Sequence, residues 1–185
     1  VKNIFEEAFA LQEFLIAESL QFCFIGGIAL QRWGDLRTTN DIDLTLLTGF
    51  SGEEIFIDLL LSKYAARIKD AKETALTARV LLLKSNSGVG IDISLGGMPF
   101  EELTIKRASE SEYLPGIFLR TCSAEDLVVH KAFAARPKDW IDIEGILTRQ
   151  KSLDWNYIDE QIRPLADLKE EPEILTKLAS LKTRK

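Results

Sequence analysis

The chain has 185 residues, of which 46% are hydrophobic and 28% charged, with a formal net charge of −6. That length carries one full domain with its own core, or one domain with a small helical appendage, and the ordinary glycine and proline contents exclude disordered, collagen-like and low-complexity scaffolds. No apolar run approaches the roughly 18 residues of a membrane span, and an acid-rich start with Glu6, Glu7, Glu13 and Glu18 is unlike a signal peptide, so a cytoplasmic protein without a membrane partner is expected.

Cys23 and Cys122 stand far apart with no CxxC spacing, and His130 is the one histidine. A structural zinc site wants four Cys/His ligands, so these cysteines are expected as buried free thiols. The acidic balance argues against holding nucleic acid by overall field alone. The charge is uneven: residues 1–60 hold Lys2, Arg32 and Arg37 against ten acids, whereas residues 63–84 hold six cations against Asp70 and Glu73. That basic run reads as a solvated face, or as a surface that steers a polyanionic acceptor.

In chain order, Ile4, Ala8, Leu11 and Leu15 form one stripe of an amphipathic helix. Phe22–Ile25 is a short apolar strand ending at Gly26-Gly27, and Ile28–Trp33 looks like the start of a second helix. Asp41–Leu47 alternates cleanly, with Asp41, Asp43 and Thr45 on one face and Ile42, Leu44 and Leu46 on the other. Ser51 and Glu54 have the spacing of a capping box, which predicts a helix to about Ala66. Arg79–Lys84 and Val89–Leu95 read as an antiparallel hairpin around Asn86-Ser87-Gly88, and Thr104–Ala108 and Ile117–Arg120 as further short strands. Ser123 opens a helix to about Ala135, Pro137 starts the next to about Leu147, and Asp154 caps a third that Leu153 and Ile158 staple. A last helix over roughly Glu173–Lys182 ends in a solvated basic tail. Strands thus concentrate before residue 121 and helices after it, an α+β pattern of a mixed sheet flanked by helices and followed by a helical C-terminal segment.

Three features carry chemistry. At a strand–helix corner, Gly26-Gly27 lets a phosphate approach the backbone while the helix N-terminus supplies unpaired N–H groups; the same pair also serves as a plain tight turn. Asp41 and Asp43, two residues apart on a strand, project from one face about 6–7 Å apart at Cα and can converge on a hard cation. They also suit a solvent face, although aspartate is depleted in strands. Asp92 is a lone carboxylate on the apolar strand Gly90–Leu95. If that strand pairs beside Asp41–Leu47, three carboxylates gather on one sheet face, and such anions call for compensation by a divalent ion or two, with Arg37 a lesser contribution.

At these residues the chain resembles the polymerase-β-like nucleotidyltransferases, and more narrowly the small bacterial group of abortive-infection toxin nucleotidyltransferases. The resemblance rests on Gly26-Gly27-Ile28-Ala29, on Arg37-Thr38-Thr39-Asn40-Asp41-Ile42-Asp43, on Asp92 between apolar neighbours, and on Ser123, Asp126, Lys131 and Arg136-Pro137-Lys138-Asp139 with Asp142. Many relatives have Gly-Ser where this chain has Gly26-Gly27, so backbone N–H groups must carry the contact a hydroxyl would make. The resemblance implies an α/β core over about 1–121 and a helical part over about 122–185 that completes one cleft. It implies catalytic and metal-binding roles for Asp41, Asp43 and Asp92, nucleotide contacts from Gly26, Gly27, Arg37, Thr39, Lys131 and Asp139, and Mg²⁺ as cofactor, two ions or Mn²⁺ in its place.

The expected function is transfer of a nucleoside monophosphate from an NTP to an acceptor hydroxyl or phosphate by two-metal catalysis. The acceptor would be RNA, protein or a small molecule, and a toxin-type enzyme would have a cognate antitoxin. The alternative is an inactive nucleotidyltransferase-fold module that binds nucleotide, nucleic acid or a partner protein, against which the intact aspartate set argues. Read without the resemblance, Lys131 is equally a lysine of a solvated helix face, and Asp139 and Asp142 are favourable first-turn acids. His130 reads as a surface or capping histidine, and Trp33, Trp140 and Trp155 as core or helix-packing residues.

Overall fold

The computed structural model describes residues 3–183, so the basic tail beyond Thr183 lies outside the described residues. The chain divides into two compact units, Val1–Ile28 with Thr38–Cys122, and Ala29–Arg37 with Ser123–Lys185.

The first unit is built on a mixed sheet, seven-stranded among the described residues. Its strands are β1 (Phe22–Phe24), β2 (Asp41–Leu47), β3 (Ala65–Ala66), β4 (Val80–Lys84), β5 (Gly90–Gly96), β6 (Ser109–Leu114) and β7 (Ile117–Thr121). Their spatial order is β3-β4-β5-β2-β1-β7-β6. Strands β4 and β5 form the expected antiparallel hairpin, whereas β2 pairs with β5 in parallel, from Asp41 opposite Gly90 to Leu47 opposite Gly96. The period-two pattern decides which face is buried. Ile42, Leu44 and Leu46 of β2, with Ile91, Ile93 and Leu95 of β5 and Leu81 and Leu83 of β4, form a core with three helices. These are α1 (Ile4–Ala17), α3 (Glu53–Lys63) and α4 (Ala71–Ala78). Helix α1 contributes the expected stripe, Ala8, Leu11 and Leu15. Its buried Gln12 donates to the Phe118 carbonyl and accepts from the Arg120 amide, both at 2.8 Å, which ties α1 to β7.

Several local expectations fail for identifiable reasons. The helix after the second strand starts at Glu53 with Gly52 as its cap and no side-chain capping bond; Ser51 has a φ of 68°, in the left-handed region rather than the extended one a capping serine adopts. It ends at Lys63, and Ala65–Ala66 pair with β4 as an edge strand instead. Thr104–Ala108 is no strand, because Thr104–Arg107 close helix α5 (Pro99–Arg107), with Pro99 in its first turn and Glu101 accepting from the Gly97 and Met98 amides.

In the second unit, α6 (Ala124–Ala134), α7 (Pro137–Arg149), α8 (Trp155–Lys169) and α9 (Glu173–Lys182) join the part of α2 (Gly26–Trp33) from Ala29 onward. Their starts follow the sequence. The Ser123 hydroxyl accepts from the Asp126 amide, Pro137 opens α7, and the Asp154 carboxylate accepts from the Tyr157 amide. The fully buried Asp126 accepts from Ser123 Oγ and Tyr157 Oη, both at 2.6 Å, and joins α6 to α8. Cys23 and Cys122 are both buried. Trp140 is 7% exposed, while Trp33 and Trp155 are half-buried under the cations of Arg32 and Lys182.

Candidate active site

The register of β2 and β5 puts Asp43 directly opposite Asp92, with Asp41 two residues along the same face. Because side chains alternate, all three carboxylates stand on the sheet face opposite the apolar core. Asp41 is exposed, whereas Asp43 and Asp92 are half-buried.

Glycines open the space around this set. Gly26 begins α2 with a φ of +54°, and a Cβ there would lie 2.2 Å from Asp43 Oδ2. A Cβ on Gly27 would lie 2.1 Å from Thr39 Oγ1, and the Gly27 amide points at Asp43 Oδ2 from 3.4 Å. Gly90 stands opposite Asp41, and its Cβ would meet Asp41 Oδ1 at 2.2 Å. Thr39 in turn donates to the Asp41 carbonyl at 3.1 Å. The double glycine therefore does more than turn the chain: it admits Asp43 and Thr39 against the first turn of α2, where the helix dipole favours negative charge.

Three aspartates on one face are the donor set a hard divalent cation takes. Asp92 Oδ1 fits such a role, since it is buried and the charge it faces is the Arg67 guanidinium. As the side chains stand, no group of three acidic, histidine or cysteine side chains among the described residues is gathered closely enough to hold an ion. Arg67 reaches Asp92 Oδ1 at 2.6 Å and Asp41 Oδ1 at 3.6 Å, and Asp43 turns towards the Gly27 amide. Burial raises the pKa of Asp92 above its ordinary value and the Asp41 charge adds to this, while Arg67 draws it partly back.

The second unit holds the other candidate residues in a separate ionic cluster. Arg37 forks onto Asp142, with Nε and Nη2 each at 3.0 Å from a carboxylate oxygen. Lys131 donates to Asp142 at 2.6 Å and lies 3.5 Å from Asp139, which Arg136 also pairs. Lys131 is 5% exposed and Asp139 fully buried, so neither is the solvated surface group that helix position alone allows. Burial by itself would raise the pKa of Asp142, but the hydrogen bonds from Arg37 and Lys131 outweigh it and hold the carboxyl below its ordinary value. The expected nucleotide contacts are thus divided: Gly26, Gly27 and Thr39 stand with the carboxylates in the first unit, and Arg37, Lys131 and Asp139 form this cluster in the second.

Sequence reading missed Arg67, which it placed in a solvated basic run. Arg79 of that run is likewise engaged: it pairs with Glu53, donates to the Gly49 carbonyl at 2.8 Å and stacks on Phe50. Lys72 of the same run pairs with Asp58 at 2.7 Å, and no local pattern marks any of these partners, which lie on other elements of the fold. His130 is half-buried on α6 with its Nε2 atom buried, and desolvation lowers its pKa to about 4.

Solved structures that resemble this fold do so at low identity. An antigenic nucleotidyltransferase-like protein from Paracoccidioides brasiliensis is 14% identical, covering 95% of this chain and 91% of its own, with a TM-score of 0.55. The lincosamide antibiotic adenylyltransferase LnuA, in its lincomycin-bound crystal structure, is 15% identical, covering 78% of this chain and 97% of its own, with a TM-score of 0.52. At such identities the likeness is one of fold. No curated protein matches the chain. No helix among the described residues is long and apolar enough to cross a membrane. The family model described as nucleotidyl transferase AbiEii toxin, type IV toxin–antitoxin system, matches residues 10–182. A match of that extent takes in both units and every candidate residue named above, and the chain belongs to the AbiEii nucleotidyl transferase toxin family.

Proposed function

We propose that this protein transfers a nucleoside monophosphate from an NTP to an acceptor hydroxyl or phosphate, and that Asp41, Asp43 and Asp92 carry the reaction. The observation behind this reading is the register of β2 against β5, which sets Asp43 beside Asp92 on a face that the core leaves to polar groups. The acceptor oxygen attacks the α-phosphorus, the bond to the departing pyrophosphate breaks, and the proton of the acceptor passes to Asp92 or to water. In such transfers, positioning and charge neutralisation do most of the work.

Asp41 and Asp43 would hold Mg²⁺ with the triphosphate, and Asp92 would complete a second site, with Mn²⁺ able to substitute. The ions would supply charge neutralisation on the phosphate oxygens. The first turn of α2 presents the backbone of Gly26 and Gly27 to a phosphate, with Thr39 beside it. In the second unit we assign nucleotide contacts to Arg37 and Lys131, with the fully buried Asp139 acting on the nucleotide through its pairing with Lys131. Arg37 is the accessible member, its side chain 40% exposed, while Lys131 meets a phosphate only by exchanging one of its carboxylates. Family membership brings with it the further proposal of a toxin with a cognate antitoxin, acting in the cytoplasm on RNA, a protein or a small molecule.

Isothermal titration with a non-hydrolysable NTP tests the site. Mg²⁺-dependent binding to wild type should be absent from the Asp41→Asn, Asp43→Asn double variant; undiminished binding there would remove the metal site from these residues.

A further inference from the structure

Arg67 has no role in the scheme above, yet three features of the fold converge on it. It follows edge strand β3, and its amide donates to the Leu82 carbonyl at 2.9 Å, which extends the β3–β4 ladder by one residue. Leu82 stands opposite Asp92, and Asp92 opposite Asp43. Arg67, Leu82, Asp92 and Asp43 therefore share one row across four strands. Two strand spacings, about 10 Å, separate the Arg67 backbone from that of Asp92, a span that the long arginine side chain bridges. Its Nη2 lies 2.6 Å from Asp92 Oδ1 and its Nη1 3.6 Å from Asp41 Oδ1. The third feature is Gly90, where a Cβ would stand 2.6 Å from Arg67 Nη1 as well as against Asp41.

We propose that Arg67 is the resident counter-cation of the carboxylate set, a positioning residue that holds Asp41 and Asp92 before a divalent ion arrives and yields Asp92 to that ion. This rests on the reading of these aspartates as metal ligands. Neighbouring carboxylates repel one another and need compensation to stay ionised together. A guanidinium supplies that charge through several fixed donors and so reaches two different carboxylates at once, which the compact ammonium of a lysine does less well. An ion entering beside Asp92 meets this like charge at contact distance, so ion binding is an exchange of cations and its affinity is set against that of Arg67.

The test uses Mn²⁺ alone, without nucleotide, on the full chain, with free Mn²⁺ read by electron paramagnetic resonance. Arg67→Gln should bind Mn²⁺ about tenfold more tightly than wild type, and Arg67→Lys should fall between them. Without ion, Arg67→Gln should melt below wild type, and saturating Mn²⁺ should close that gap. An arginine that only braces the fold would lower the melting temperature without tightening ion binding. Equal or weaker Mn²⁺ affinity in Arg67→Gln, with measurable binding to wild type, overturns this inference and leaves the metal ligands standing. If wild type and the Arg67 variants all fail to bind Mn²⁺, both readings fall. Should Arg67→Gln not fold, Arg67→Lys decides alone: tighter binding supports the exchange and unchanged binding overturns it.

Discussion

Replacing Asp142 by asparagine keeps the shape of the side chain and removes its charge from between Arg37 and Lys131. The two cations respond differently. The Arg37 side chain is 40% exposed and regains water, so its lost pairing costs little. Lys131, 5% exposed, is left with Asp139 at 3.5 Å, and Arg136 already engages that carboxylate. Removing one partner of a buried pair typically costs 3–5 kcal/mol; with one weak partner remaining, a loss of about 3 kcal/mol at pH 7 is expected. The assay is urea unfolding followed by tryptophan fluorescence, which reports the second unit because Trp33, Trp140 and Trp155 all lie in it. The sign with pH follows from the lowered pKa of Asp142. Its contribution is complete above the ordinary carboxylate value of 3.8 and is lost as pH falls through the lower folded value. The Asp142→Asn penalty should therefore be the same at pH 7 and pH 4.5 and shrink by pH 3. The double replacement Lys131→Met, Asp142→Leu should recover more than half of the loss, since apolar side chains substitute well for a buried pair. A penalty under about 1 kcal/mol at pH 7, or one that persists undiminished at pH 3, would refute this account of the cluster.

Three further outcomes are expected. Asp92→Asn should keep NTP affinity within about tenfold of wild type while transfer falls by about a hundredfold or more; paired equilibrium and single-turnover measurements check this, and equal transfer rates would take the catalytic role from Asp92. Gly26→Ala should cost about 1–2 kcal/mol from its left-handed φ alone, with further loss from the clash with Asp43, and a melting temperature equal to wild type would show that the close approach is not needed. His130, with a pKa of about 4, should stay neutral from pH 7 to pH 5 in an NMR titration, whereas the unfolded chain protonates near 6.5. Stability should then fall as pH drops through that window, by about 2 kcal/mol at pH 5, and His130→Gln should remove that dependence.

What could be read from the sequence was whatever depends on near neighbours. Strand β2 follows from its alternation residue for residue, the starts of α6, α7 and α8 follow from Ser123, Pro137 and Asp154, and the double glycine marks the strand–helix corner, although α2 takes in both glycines instead of starting at Ile28. Helix α4 escaped because its buried stripe is only Ala71 and Ala75, too small to show as a period. Strand β6 escaped because Ser109-Glu-Ser-Glu lies at the sheet edge with one half-buried residue among the four, so its apolar alternation is weak. The Thr104–Ala108 stretch misled through its β-branched residues, while Pro99, Glu101 and Glu102 gave the better helix-start signal. The three aspartates could be named individually, but their meeting depended on an assumed pairing of β5 with β2. Arg67 could not be found at all, because its carboxylates become neighbours only through the β3–β4–β5–β2 pairing.

The most direct test of the central claim is transfer itself. Wild-type protein is incubated with each α-labelled NTP, Mg²⁺ and cell extract, and the molecule that carries the label is identified beside the same reaction with the Asp41→Asn, Asp43→Asn variant. The account predicts a labelled acceptor with at least one NTP for wild type and none for the variant. No labelled acceptor from wild type with any NTP, or equal labelling by the variant, would contradict it.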